Sequence, residues 1–312
     1  MKGLELSKSY FENFGRAMLE GFPEIMPKIA VGLCGSGSEC FGFDDEISKD
    51  HDFEPGFCIF LPSEDVVDRR SAFMLERAYS KLPSEFSGVE RLKIQPVGGS
   101  RHGVIRIEDF FRDKTGSADG QLSCTQWISL PDYALAEATN GEIFFDNLGL
   151  ITKIRRSLDH YPEDIRKKKL AGNLLVMAQS GQYNYRRCLD HGEAAAAQLA
   201  VDEFVRAAMA AGFLLNRRYQ PYYKWGFRAM RQLKKLPYLP DLLEYLLCAD
   251  NSDENSEEKL SVIESVSADI IDELSDQGLT KAICQDLEKH AYSVNDAIED
   301  PGIRNLHVLA AV

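Results

Sequence analysis

The 312-residue sequence contains no run of about 18 uninterrupted apolar residues, so nothing in it reads as a membrane-spanning helix. Its opening, Met1-Lys2-Gly3-Leu4-Glu5, lacks a signal-peptide apolar core, which sets the expectation of a cytoplasmic protein. Cysteine pairing is missing as well. The seven cysteines, at 34, 40, 58, 124, 188, 248 and 284, include no C-x-x-C and their number is odd. That sets aside a disulfide framework and a zinc site, and leaves thiols expected to be reduced and mostly buried. There is no internal repeat and no extended basic tail. With a net charge of −13, long nucleic acid is not an expected partner, because such binding draws its affinity from neutralising phosphates.

What is present is an ordinary globular composition, 44% hydrophobic, with an uneven charge. Residues 1–150 hold 15 basic and 25 acidic side chains, residues 151–248 hold 17 and 9, and residues 249–312 hold 4 and 15. The periodicity changes along with the charge. Tyr10, Phe11, Phe14, Met18 and Leu19 space an amphipathic helix over 5–21, and Pro62-Ser63-Glu64-Asp65 reads as the cap of a helix over 64–82. Short alternating runs follow at 92–97 and 102–107 around Gly98-Gly99-Ser100. Pro131 to Ala138 reads as a helix, and Asn140-Gly141 introduces an apolar run, Glu142 to Gly149. From Leu150 onward the spacing is helical, over 163–180, 192–214 and 221–236. Residues 249–258 then read as an acidic loop, with further helices over 259–275 and 279–291 and an apolar tail at 308–312. The expected architecture is α/β plus α: a small mixed sheet with flanking helices in 1–150, a basic helical domain in 151–248, and C-terminal helices packed on it in 249–312.

The stretch from Leu33 to Leu61 organises the rest. An apolar run, Ile29 to Leu33, ends in Gly35-Ser36-Gly37-Ser38. The chain then passes Asp44, Asp45 and Glu46, reaches Asp50-His51-Asp52-Phe53, and resumes as a second apolar run, Phe57 to Leu61. On an extended chain Asp50 and Asp52 share a face while His51 takes the other, where it reads as a hydrogen-bonded structural residue. Two carboxylates that close repel unless a cation lies between them, and fixed oxygen ligands suit Mg²⁺, which in turn attracts phosphates. Glycines at 35 and 37 let backbone N–H groups approach an anion, and the serines add hydroxyl donors. Position alone does not decide which Gly-Ser pair makes the contact. A short helix is expected between Gly37 and Asp50.

Gly37-Ser38, then eleven residues, then Asp50-His51-Asp52-Phe53 resembles the signature of the polymerase-β-like nucleotidyltransferase superfamily, and Gly42 matches a further glycine of its antibiotic-modifying members. Tyr161-Pro162-Glu163-Asp164, Gln182-Tyr183-Asn184 and the run from Leu215 to Trp225 are similar to an uncharacterised bacterial branch, so the resemblance spans about residues 1–235. It implies transfer of a nucleoside monophosphate from a triphosphate, with ATP expected, to a hydroxyl of a small acceptor. Mg²⁺ (or Mn²⁺) is the implied cofactor, held by Asp50 and Asp52, and Gly35, Ser36, Gly37 and Ser38 would contact phosphate. In relatives a third carboxylate on a neighbouring strand acts as base or metal ligand; no counterpart is evident here, and Glu108, at the end of the 102–107 run, is the candidate. A basic residue from the helical half completes the pattern, with Lys224 first and Arg187 and Arg218 beside it. His51 and Lys49 stand where relatives usually carry an apolar residue and a serine. A macromolecular acceptor (tRNA or protein), or a nucleotide-binding module without catalysis, are the alternatives. A monomer or homodimer is expected.

Overall fold

A computed structural model of the chain describes residues 1–47, 53–91 and 102–312. Two units emerge, one formed by Met1–Leu122 with Ala134–Asp159 and the other by Ser123–Tyr133 with His160–Val312. The first therefore runs nine residues past 150, and the second takes in a segment that precedes it. Asp50, His51 and Asp52, with Lys49 and the expected strand at 92–97, lie outside the described residues.

Among the described residues the first unit has six strands: β1 (Ala30–Leu33), β2 (Cys58–Leu61), β3 (Glu85–Phe86), β4 (Val89–Glu90), β5 (Gly103–Arg106) and β6 (Glu142–Asp146). Four of them form a mixed sheet in the order β5-β2-β1-β6. β1 is antiparallel to β2, with Gly32 opposite Cys58, and antiparallel to β6, with Leu33 opposite Glu142; β2 and β5 are parallel, with Cys58 opposite Gly103. β1 and β2 are buried at every position, which their unbroken apolar runs require of strands covered on both faces.

On one face Val31, Phe57, Ile59 and Leu61 meet Tyr10, Phe11 and Leu19 of the N-terminal helix and Leu75 and Tyr79 of the Arg69–Tyr79 helix. Phe57 is the hub, with ring centroids 5.2 Å from Phe11, 5.1 Å from Tyr79 and 6.0 Å from Tyr10. The opposite face puts Phe60 against Phe110, 5.4 Å away, on the Ile107–Thr115 helix. The N-terminal helix runs Gly3–Tyr10, a π-helical turn at Phe11–Gly15, then Arg16–Glu20. Gly15 lets it lie on Phe57, because a Cβ there would stand 2.5 Å from the Phe57 ring.

Some local expectations shift, and a hairpin is added. The helix expected from 64 begins at Arg69, since Asp68 accepts a hydrogen bond from the Ser71 N–H at 2.9 Å and so makes the effective cap. A hairpin, β3 to β4, follows it through Ser87 and Gly88, both at positive φ, as the tight primed turn of a hairpin demands. Most of the acidic stretch 249–258 is not a loop: the Asp253–Asp276 helix takes in all but its first four residues.

The second unit is helical. The Glu163–Met177 helix continues through a π-helical stretch, Ala178–Tyr185, into Arg186–Asp190, and packs against the long Ala194–Leu215 helix. Tyr223–Met230, Leu239–Cys248, Asp253–Asp276 and Leu287–Asp296 complete the bundle, and the tail turn Val308–Ala311 packs on Glu163–Met177. Part of its basic charge is internal. Lys168 is fully buried and donates to Asn295 Oδ1 (2.8 Å) and the Leu306 carbonyl (2.6 Å); burial lowers its pKa. Among the described residues no helix is long and apolar enough to cross a membrane.

Gly32 sits at an irregularity in the β1–β6 pairing, where a Cβ would stand 2.4 Å from the Glu142 carbonyl oxygen and 2.8 Å from Ile143 Cα. Both obstacles are backbone, so neither yields by a rotamer change. Gly32→Ala is expected to destabilise the first unit by about 1–3 kcal/mol, read as a lower denaturation midpoint.

Candidate functional site

The strand directions bring four chain ends to one edge of the sheet. β1 ends where antiparallel β2 and β6 begin, and β5, parallel to β2, begins there too. At that edge lies a cavity of about 420 Å³, lined by Gly35, Ser36 and Gly37 after β1, by His102 before β5, and by Tyr79, Arg91 and Lys114.

Gly35 leaves the strand at φ +126°, a conformation open to glycine, and Asn140 holds it at both backbone groups. The Gly35 N–H donates to Asn140 Oδ1 at 2.9 Å, and Asn140 Nδ2 donates to the Gly35 carbonyl at 2.7 Å. Asn140 is fixed in turn by Arg155, whose Nη2 donates to the carbonyls of Thr139 (2.7 Å) and Asn140 (2.6 Å). Gly141 allows this approach, since a Cβ there would stand 2.0 Å from the Leu33 carbonyl oxygen. Past Gly35 the N–H groups of Ser36, Gly37 and Ser38 make no hydrogen bond among the described residues. Ser38 opens a single 3₁₀ turn, Ser38–Phe41, which the left-handed Gly42 closes. That turn is the short helix expected after Gly37.

Glu39 follows in the same turn. It is 7% exposed and lines the cavity, and its carboxylate makes no hydrogen bond or ion pair among the described residues. Its carboxylate lies against Gly37, where a Cβ would be 1.9 Å from Oε1, so glycine at 37 makes room for an acid. Glu76 and Asp113 add two exposed carboxylates to the lining.

Cations line the cavity too. Arg91 stacks over the Tyr79 ring with its guanidinium carbon 4.8 Å from the centroid. The Tyr79 hydroxyl accepts from the Phe57 N–H at 3.0 Å, and burial pushes its pKa well up, so it stays protonated. Burial works against the charge of Lys114, but Glu137 at 2.9 Å and Asp113 at 3.4 Å outweigh it and raise its pKa. Glu54 pairs with His102 at 3.0 Å, and this ties the chain two residues after Asp52 to the start of β5. Cys34, Cys40 and Cys58 also line the cavity. Burial pushes the Cys34 thiol up to about 11 and the other two well above the usual range, so none is a nucleophile at neutral pH. Cys124, Cys248 and Cys284 are exposed, contrary to the expectation of mostly buried thiols.

Of the residues singled out from sequence, Gly35, Ser36 and Gly37 line the cavity and Ser38 begins the adjoining turn. Glu108 is not at a strand end: it lies in the first turn of the Ile107–Thr115 helix, 4.0 Å from Arg112, and is not part of the lining. β5 itself, Gly-Val-Ile-Arg, carries no carboxylate. Lys224, Arg187 and Arg218 belong to the second unit, where each is exposed; Lys224 lies over the Trp225 ring and Arg187 over that of Tyr183. Among the described residues no three His, Cys, Asp or Glu side chains form a metal-binding group. Sequence reasoning missed Glu39, Arg91 and the Asn140–Arg155 clamp. Asn140-Gly141 read only as the lead-in to an apolar run, and nothing local to Arg155 marks its target fifteen residues back.

Residues 127–226, about a third of the chain, match a family model described as a domain of unknown function, DUF4037. A nucleotidyltransferase-like protein from Exiguobacterium sibiricum 255-15, known as a crystal structure, is similar at a TM-score of 0.37 and 13% identity, over 93% of this chain and 81% of that one. No curated protein matches the chain.

Proposed function

We propose that the first unit is the catalytic unit of a nucleotidyltransferase, which moves a nucleoside monophosphate from a triphosphate, ATP foremost, to a hydroxyl of a small acceptor. The observation that carries this reading is the strand-end geometry. The Gly-Ser loop, with three N–H groups that meet no acceptor among the described residues, opens onto a cavity of about 420 Å³, and the chain leaving Asp50-His51-Asp52 enters β2 at that same edge. Free backbone donors in a turn form an anion cradle, and Arg91 and Lys114 add positive charge for phosphate oxygens. Asp50 and Asp52 are the proposed metal ligands. A buried carboxylate that meets no cation among the described residues, Glu39, suits a divalent ion nearby or a proton from the acceptor. Mg²⁺ or Mn²⁺, when bound, would neutralise charge that builds up on the departing pyrophosphate.

In the transfer, the acceptor oxygen bonds to the α-phosphorus while the bond to the pyrophosphate bridging oxygen breaks. The hydroxyl proton passes to a carboxylate, for which Glu39 replaces Glu108 as the candidate because it lines the cavity. A second reading, nucleotide binding without transfer, draws support from the absence of a carboxylate on β5.

Pure protein with Mg²⁺ and labelled triphosphates, supplied with a metabolite and aminoglycoside panel, should release pyrophosphate. Asp52→Ala is expected to reduce that release about a thousandfold, through loss of several kcal/mol of charge stabilisation. Tight triphosphate binding with no release under any acceptor favours the second reading. If no triphosphate raises the melting midpoint with Mg²⁺ or Mn²⁺ present, both readings fail.

Asn140→Ala removes two hydrogen bonds that hold the Gly35 backbone. It should raise the nucleotide KM about tenfold, on about 0.5–1.5 kcal/mol for each bond. An unchanged KM would remove the loop from the phosphate site.

A further inference from the structure

The second unit contains a separate cavity of about 620 Å³, within the size range of small-molecule sites. We propose that it binds a flat aromatic molecule bearing an acidic group. This inference does not rest on the nucleotidyltransferase reading, since every lining residue belongs to the second unit.

One wall is aromatic and open. Tyr133, Tyr222 and Tyr223 are 41%, 45% and 75% exposed, far more than large rings that serve a core. They nevertheless touch one another: Tyr222 meets Tyr133 edge-on at 5.8 Å and Tyr223 at 4.5 Å. Pro221 precedes Tyr222, which caps the Tyr223–Met230 helix, so the wall stands on restricted backbone. Preformed aromatic surface of this kind offers ring contacts at low entropic cost.

The floor is polar and already neutralised in part. The Tyr161 hydroxyl donates to Asp132 at 2.7 Å, and burial together with the Asp132 charge pushes its pKa well up, so it remains the donor. Lys169, 9% exposed at its side chain, stands 3.5 Å from the same carboxylate and 5.2 Å over the Tyr161 ring. Asp132 is thereby matched by Lys169 and Tyr161. Arg206, exposed on the Ala194–Leu215 helix, also lines the cavity, and its guanidinium makes no ion pair or hydrogen bond among the described residues. The lining side chains thus carry two cations and one carboxylate, with the guanidinium unmatched. A planar guanidinium takes a carboxylate through two parallel hydrogen bonds, while the tyrosine wall takes the ring.

The test uses the full chain without metal or nucleotide and three probes: indole-3-carboxylate, indole, and cyclohexanecarboxylate. Saturation-transfer NMR titrations should give indole-3-carboxylate a Kd of about 1 mM or tighter, with each of the other two weaker by about tenfold. Tyr222→Ala and Arg206→Gln should each weaken indole-3-carboxylate about tenfold, whereas Tyr222→Phe, which keeps the ring, should leave it unchanged. The melting midpoint of each variant separates lost binding from lost fold. Absence of binding, equal binding of all three probes, or insensitivity to both variants overturns the proposal. Loss of nucleotide transfer would leave it untouched.

Discussion

The antiparallel pairing of β1 with both its neighbours is the constraint on which the first unit depends. Because β1 runs against β2 and β6, its last residue lies beside their first ones, and the loop it feeds meets the approach to β2 at one edge. Side chains alternate along a strand, so a one-residue slip would send Phe57, Ile59 and Leu61 to the other face and break the ring cluster around Phe57. Burial on both faces makes that slip prohibitive. The hydrophobic core and the candidate site are in this sense one device: the same register that packs Phe57 places the Gly-Ser loop.

Polar contacts refine that placement. Asn140 stands in for a further rung of the β1–β6 ladder by meeting both backbone groups of Gly35, and Arg155 holds Asn140 from the following helix. Across the sheet, Arg106 at the end of β5 donates to the carbonyls of Pro62 (2.6 Å) and Val67 (2.7 Å), fixing the chain that leaves β2. Each of these side chains satisfies backbone groups that the ladder leaves over at its ends. The result is a loop whose N–H groups at Ser36, Gly37 and Ser38 meet no acceptor among the described residues.

In the second unit, the Glu163–Met177 helix shows how charge can be structural. Arg166, Lys168 and Lys169 are all buried. Arg166 pairs with Glu163 at 2.7 Å and donates to the Leu214 carbonyl, Lys168 is met by an amide and backbone oxygens, and Lys169 leans on Asp132. The excess of basic residues in this region is therefore in part an internal scaffold. Lys259 repeats the pattern, fully buried against Gln198 and Asn251. Cations held this way are already met by protein oxygens.

Period, punctuation and glycine placement were enough to read the α/β-plus-α order, the runs that became β1, β2 and β5, and the helices over 163–180, 192–214, 221–236 and 259–275, because each depends on contacts a few residues apart; the Leu239–Cys248 helix went unread, and the helix expected over 279–291 begins only at Leu287. Glu108 shows where that stops: its run of alternating residues reads as a strand through 107, yet Ile107 already begins a helix whose Phe110 packs on Phe60. The helix over the acidic 249–258 stretch is a similar case, since Ile263, Val266 and Ile270 further along bury one face and carry the charged first turns with them. By itself the sequence determined the strand, Gly-Ser turn and strand. Only the tertiary structure decided that Glu39, Arg91 and the Asn140–Arg155 clamp share that edge, and that Tyr133 meets Tyr222, because those neighbours come together through long-range packing that local spacing does not encode.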